Sequence, residues 1–212
     1  MSASGLLDDE KGVLSWLLTQ ISLIIAAGVL IGAIAGISFY GDWQKEAELK
    51  NIASNFVASL ISLELREFPY EKTYLFPLKN YHYEVELSSD YITVRRKDGT
   101  INKNIICREE LPIKPIITAG KNLDWTNSTE FHKFLSLNYG CDGSPESPIP
   151  LEQREEVFSY IEQEMKYNAH ETAAEPITIC DLNKPLYMEK TFIYFEKGDG
   201  GLYRRGIIII HE

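Results

Sequence analysis

The sequence has little cysteine and little basic charge for its length. Its three cysteines, Cys107, Cys141 and Cys180, lie far apart among 212 residues, which excludes a disulfide-dense scaffold and a C-x-x-C zinc site. One disulfide plus one free thiol stays open. The 31 acidic side chains outnumber the 21 basic ones and give a net charge of -10. Such a charge repels phosphate backbones, so we expect no nucleic-acid partner.

Sequence motifs for catalysis and metal binding are also missing. There is no G-x-S-x-G, His170-Glu171 is not followed by the second histidine of H-E-x-x-H, and Gly120-Lys121 lacks the rest of a phosphate-binding loop. The four histidines are scattered, and the acidic residues over 152–164 are typical of a solvated helix face rather than a cation site. We therefore expect no enzyme activity, no cofactor and no metal site.

One long uncharged run lies near the N-terminus. Residues 12–41 carry no charged side chain, and this run of 30 residues would extend about 45 Å as a helix, against about 30 Å for the hydrocarbon core of a bilayer. We predict one membrane-spanning helix over 13–40. A buried core helix is one alternative, although such helices rarely stay uncharged beyond about 14 residues. A cleaved secretory signal is another, because Ala33-Ile34-Ala35 fits a cleavage site, but the residues before the run are acidic.

Three glycines of this run share one helix face. Gly28, Gly32 and Gly36 recur every four residues and therefore stack along the predicted helix. Small residues let helix backbones approach closely, and van der Waals packing of this kind drives helix association in lipid. We predict that the three glycines pack against another helix.

Beyond the membrane we predict an amphipathic continuation of the same helix over 41–68. Pro69 disfavours helical geometry at Phe68, so the helix is predicted to end near Glu67. Its apolar stripe, at helical spacing, consists of Leu49, Ile52, Ala53, Phe56, Val57, Leu60 and Ile61. This stripe is expected to pack on the soluble part of the chain.

The rest of the chain, 69–212, is predicted to be a β-rich soluble head. Apolar and polar side chains alternate over 81–87, and turn residues near 88–90 and at Asp98-Gly99 divide 81–107 into a three-strand meander. Pro112 and Pro115 cannot donate to a strand ladder, which places residues 111–118 at a sheet edge or outside the sheet.

The head is also predicted to contain two short helices and a closing hairpin. The first helix covers 129–138, with Asn127 or Ser128 as its cap and Gly140 beyond its end, and the second covers 151–167. The hairpin pairs 187–196 with 203–211, and Ile207 to Ile210 should be covered on both faces. The predicted fold class is α+β, with a long N-terminal helix packed on an antiparallel sheet.

The N-terminus resembles the prepilin-type leader of archaeal type IV pilin-like proteins, because Lys11-Gly12 directly precedes Val13 and the apolar helix. The resemblance implies that a prepilin-type peptidase removes the leader, residues 1–12, so that the mature chain begins at Val13. A long helix leading into a β-rich head is also similar to pilins and archaellins. Leu17 stands where many bacterial pilins have glutamate, which favours the archaeal resemblance.

The resemblance implies a structural or accessory subunit of an extracellular filament, with the head outside the cell. The implied partners are membrane lipid, the peptidase and other pilin-like subunits, or further copies, bound through the helix. Charge alone does not orient the span, because Lys11 before it and Lys45 and Lys50 after it nearly balance. Asn127-Ser128-Thr129 is the only N-x-S/T sequon, and we predict an N-glycan on Asn127 if the head lies outside a glycosylating cell. The alternative is a single-pass, membrane-anchored binding or accessory module that forms no filament.

Overall fold

The structure is a computed structural model that describes residues 4–97, 104–119, 123–179 and 181–212. Its fold is α+β, as predicted. The chain divides into two compact units, Met1–Lys45 and Glu46–Glu212. Helix α1, Ser4–Glu64, supplies residues to both units. It begins before the predicted Val13 and ends before the predicted Glu67.

The first unit contains the apolar part of α1. Trp16–Gly36 is a stretch of 21 residues with a mean hydropathy of 2.3, and it is the one helix among the described residues long and apolar enough to cross a membrane. None of it is buried against other parts of the chain. Its length and composition are compatible with a single membrane anchor.

In the second unit, α1 provides a buried stripe, as predicted. Leu49, Phe56 and Leu60 are fully buried, whereas Ile61 is 40% exposed and Leu63 is buried in its place. The reason is geometric. At about 100° per residue, Ile61 lies about 120° around the helix from Leu49, while Leu63 lies only about 40° from it.

The end of α1 at Glu64 is fixed by contacts from the head. The Arg66 N–H donates to the Leu63 carbonyl oxygen at 3.0 Å, which tightens the last turn. The last turn itself has no basic residue, but the buried Lys190 donates to the Glu64 carbonyl oxygen and pairs with its carboxylate at 3.2 Å. A cation at this position complements the negative end of the helix dipole.

The described residues contain eight strands in two four-stranded sheets. The first sheet has the order β1-β7-β8-β5 and consists of β1 (Tyr70–Tyr74), β7 (Leu186–Glu196), β8 (Leu202–His211) and β5 (Ile116–Ile117). The second has the order β4-β3-β2-β6 and consists of β4 (Asn104–Glu110), β3 (Tyr91–Lys97), β2 (Tyr83–Leu87) and β6 (Ile177–Ile179).

The predicted meander is confirmed as β2, β3 and β4, in which Val94 pairs with Val85 on one side and with Cys107 on the other. The predicted turn at Asp98-Gly99 lies outside the described residues. Strand β5 lies at a sheet edge, in agreement with the neighbouring prolines. The expectation of a purely antiparallel sheet was wrong here, because β5 pairs parallel with β8, Ile116 with Ile209. Parallel strands need a long connection between them, and here the two head helices and β7 lie between β5 and β8 in the chain.

Both predicted head helices are present. Helix α2, Ser128–Tyr139, is capped by the Asn127 side chain and ends at Gly140, whose φ of 73° is the left-handed conformation that favours glycine. Helix α3, Arg154–Ala174, follows a single 3-10 turn and extends beyond the predicted Tyr167. The extension includes Asn168 and Thr172, weak helix formers whose side chains are buried and hydrogen-bonded.

The closing hairpin separates two hydrophobic clusters. Ile208 and Ile210 of β8 belong to the first core cluster, which contains the buried stripe of α1. Ile207 and Ile209 belong to the second core cluster, which contains the apolar faces of α2 and α3. Alternate side chains of a strand point to opposite faces, so four consecutive isoleucines are buried, as predicted.

Candidate functional site

The glycine face of α1 is the candidate site for helix packing. A Cβ atom placed on Gly28, Gly32 or Gly36 would meet nothing within 4 Å. Glycine within a helix costs about 0.5–1 kcal/mol relative to alanine, and no contact inside the described chain requires these three. The room they leave is therefore available to a neighbouring molecule.

The predicted processing residues Lys11, Gly12 and Val13 lie within the backbone of α1. Their side chains are outside the part of the chain that the structure describes in full. Cleavage after Gly12 remains a prediction from the sequence.

Asn127 is half-buried at the start of α2. Its Oδ1 accepts the Glu130 N–H at 2.9 Å, while its Nδ2 lies 3.5 Å from the Thr126 hydroxyl. An N-linked glycan is bonded to Nδ2 and leaves Oδ1 free to accept, so the helix cap and a glycan are chemically compatible. Thr129, which completes the sequon, is exposed.

A buried carboxylate supports the start of α2. Glu189 is 9% exposed, and its two oxygens accept the Ser128 N–H at 2.7 Å and the His211 Nε2–H at 2.9 Å. Burial acts to raise the pKa of Glu189, but the hydrogen bonds from Ser128 and His211 outweigh it and hold this pKa below its ordinary value. Sequence reasoning missed Glu189. The signal was a charged pair, Glu189-Lys190, in the middle of a strand that is mostly apolar.

Next to it lies a hydroxyl–imidazole pair. His132 Nε2 is 2.7 Å from the Thr191 hydroxyl, and its Nδ1 is 2.7 Å from the Asp142 carbonyl oxygen. A carbonyl can only accept, so Nδ1 carries a proton, and in the neutral imidazole Nε2 accepts from Thr191. The pair has the geometry of a nucleophile and its base, but Thr191 is only 4% exposed. Its place in the core indicates a structural hydrogen bond between α2 and β7.

The head also has an open depression of about 440 Å³ beside β2 and β6, lined in part by His82, Tyr83 and Asp181. The Asp181 carboxylate already accepts the Asn183 N–H at 3.0 Å. Among the described residues, no group of three or more His, Cys, Asp or Glu side chains is placed to hold a metal ion. The depression therefore carries no metal-site assignment among the described residues.

The two described cysteines lie apart and are both free thiols. Cys107 belongs to the first core cluster and Cys141 to the second. Burial raises the pKa of both thiols, which lowers their reactivity. A disulfide between these two cysteines is absent from the fold.

Comparison with known proteins found no matching family model, no similar curated protein and no similar solved structure. The functional interpretation therefore depends on this chain's own residues.

Proposed function

We propose that the protein is a pilin-like surface protein, a structural or accessory subunit of an extracellular filament. The observation that carries the proposal is the division of α1. Its Trp16–Gly36 stretch is apolar and entirely unburied, whereas its later residues, from Leu49 to Leu63, supply the stripe in the first core cluster. A helix of this kind connects a folded head to an apolar segment that needs cover from outside the chain.

Two environments can provide that cover. A bilayer surrounds a single helix with hydrocarbon, and a filament core surrounds it with the helices of neighbouring subunits. The glycine face of Gly28, Gly32 and Gly36 favours the second environment, because it permits close helix contact. In this proposal the protein is first held in the membrane by the apolar stretch of α1. It then assembles into the filament through the glycine face of the same stretch.

Processing at Lys11-Gly12 fits this sequence of events. Removal of residues 1–12 deletes Asp8, Asp9, Glu10 and Lys11, which are all the charged side chains before the span. The mature chain would then begin with the apolar run itself. Only the new α-amino group of Val13 would then be ionisable at this end, so the chain could enter a packed helical core without burying a charged side chain.

The test is mass spectrometry of the native protein from membranes and from the sheared cell-surface fraction. We expect chains beginning at Val13 in the sheared fraction. Gly12→Leu should block cleavage and leave the protein in membranes, whereas Gly5→Leu, within the leader but away from the cut, should behave as wild type. A native chain that keeps Met1 to Gly12 and stays in membranes would favour the anchored module, and one beginning at Gly36 would favour ordinary secretion.

The external head is tested at the sequon. In a host that glycosylates exported proteins, wild type and Thr129→Ser should carry a glycan on Asn127, and Thr129→Ala should lack it. All three keep the Asn127 cap, so folding is not the variable. A wild-type chain without a glycan, whose head is cut by added protease only after cell lysis, would contradict an external head.

A further inference from the structure

Aromatic side chains mark both ends of the apolar part of α1. Trp16 stands at its start and Tyr40 and Trp43 follow its end, and these side chains are 62%, 63% and 58% exposed. The rings of Tyr40 and Trp43 are neighbours, with centroids 6.0 Å apart. Residues 17–39 between the two ends contain no tryptophan and no tyrosine.

The spacing matches a bilayer. At about 1.5 Å per residue, Tyr40 and Trp43 lie about 36 and 40 Å along the helix from Trp16. A bilayer has a hydrocarbon core about 30 Å thick and measures about 40–45 Å with its headgroup regions. The rings at the two ends therefore fall in the two interfacial regions, where tryptophan and tyrosine are enriched.

The directions of the rings favour lipid over a single partner helix. At about 100° per residue, Trp16 and Trp43 point about 180° apart around the helix axis. One partner helix along one face of α1 cannot contact both rings, whereas lipid surrounds the helix. The Ser22 hydroxyl of the intervening stretch suits hydrocarbon, since it donates to the Leu18 carbonyl oxygen at 2.8 Å and is therefore paired within the helix.

We propose that Trp16 at one end and the Tyr40/Trp43 pair at the other bind the two lipid headgroup interfaces of a phospholipid bilayer. They set the depth of the span, with residues 17–39 in hydrocarbon. This inference rests on the membrane-inserted state within the proposed function, but it adds specific anchoring residues and a fixed register.

Tryptophan quenching in vesicles tests the proposal directly. The chain has three tryptophans, and Trp125 is 1% exposed inside the head, so it gives a signal that lipid does not reach. The full chain is reconstituted into phosphatidylcholine vesicles with bromine at either a shallow or a deep acyl position. Trp16→Phe and Trp43→Phe assign the quenching to each site, and Val29→Trp, at a 67% exposed mid-span position, is the deep control.

We expect shallow bromines to quench wild type more than deep ones, and each Phe variant to lose part of the shallow quenching. Val29→Trp should add quenching by deep bromines. Quenching of Val29→Trp by deep bromines would show that the span is inserted. If Trp43 is then quenched by deep bromines as strongly as by shallow ones, or by neither, the interfacial anchoring is wrong. If deep bromines leave Val29→Trp unchanged, the membrane span itself fails, and with it the proposed function.

Discussion

The two parts of α1 have similar apolar side chains but opposite surroundings. Trp16–Gly36 is unburied, whereas the buried residues of the stripe from Leu49 to Leu63 belong to one core cluster with residues of both sheets. The difference follows from the pattern. The first stretch is apolar around its whole circumference and needs cover on every side, while the second has one apolar stripe with polar residues opposite and needs a single surface.

The largest expected difference between the two parts concerns head stability. Phe56 is fully buried, with its ring centroid 5.2 Å from that of Tyr74 and 5.8 Å from that of Phe76. Phe56→Ala should lower the free energy of unfolding of the head by about 3–5 kcal/mol. Ile34→Ala, at a 57% exposed position, should change it by less than about 0.5 kcal/mol. Urea unfolding of the full chain in detergent, monitored by near-UV circular dichroism, measures the stability change of each variant. Equal changes would contradict the division of α1 into an unburied part and a buried part.

A smaller loss of stability is expected when the buried hydrogen bonds of Asn168 in the head are removed. Asn168 is 2% exposed, and its amide bonds both the N–H and the carbonyl oxygen of Ile117, at 3.0 and 2.8 Å, as a neighbouring strand would. It also accepts from the Ser89 hydroxyl at 2.9 Å. Asn168→Ala leaves these groups unpaired and should cost about 2–3 kcal/mol.

The matched control is Asn138→Ala, which removes an exposed amide bonded only to the Phe134 carbonyl oxygen within α2. Its cost in the same urea titration should stay within about 0.5 kcal/mol. A loss of stability as large as that of Asn168→Ala would mean that the cost of Asn168→Ala does not depend on the burial of its hydrogen bonds.

The pH dependence of stability sharpens the contrast, because the apolar stretch has no charged side chain, whereas the head buries the titratable carboxylate of Glu189. The pKa of Glu189 is lowered in the fold, so its ionised form stabilises the head above about pH 4.3, the usual pKa of glutamate. This contribution is lost as pH falls through the lower, folded-state pKa. Wild type should therefore exceed Glu189→Gln in stability at pH 7, and the gap should narrow below about pH 4.3.

Urea titrations at several pH values from 7 to 3 measure that gap. Glu146→Gln, at an exposed position, is the control and should track wild type throughout. A gap between wild type and Glu189→Gln that stays constant down to pH 3 would show that the charge of Glu189 does not stabilise the fold.

Local patterns predicted much of the head. Alternation predicted the meander, and a cap at Asn127 or Ser128 with Gly140 beyond the end predicted α2. The prolines placed residues 111–118 at a sheet edge or outside the sheet, and β5 is an edge strand. These features depend on residues close in sequence, so their signal is readable in one window of the chain.

Features that depend on distant residues were not predictable. The parallel pairing of β5 with β8 and the bonds of Asn168 to Ile117 join segments whose proximity exists only in the fold. The same holds for Glu189, whose partners lie in α2 and at the end of β8. The glycine face was predicted from its spacing, but only the structure shows that it has no contact within the described chain.

The measurement that tests the central claim most directly is association of α1 after Gly32→Leu. A Cβ atom at this position meets nothing within 4 Å in the described chain, so the head and membrane retention should be unchanged. Contacts between copies should weaken by about 1–2 kcal/mol each. Cross-linked oligomers and sheared filaments should therefore be lost while the membrane-bound protein accumulates, with Ile34→Leu behaving as wild type. If Gly32→Leu and Ile34→Leu give the same yields, the glycine face is not an association surface.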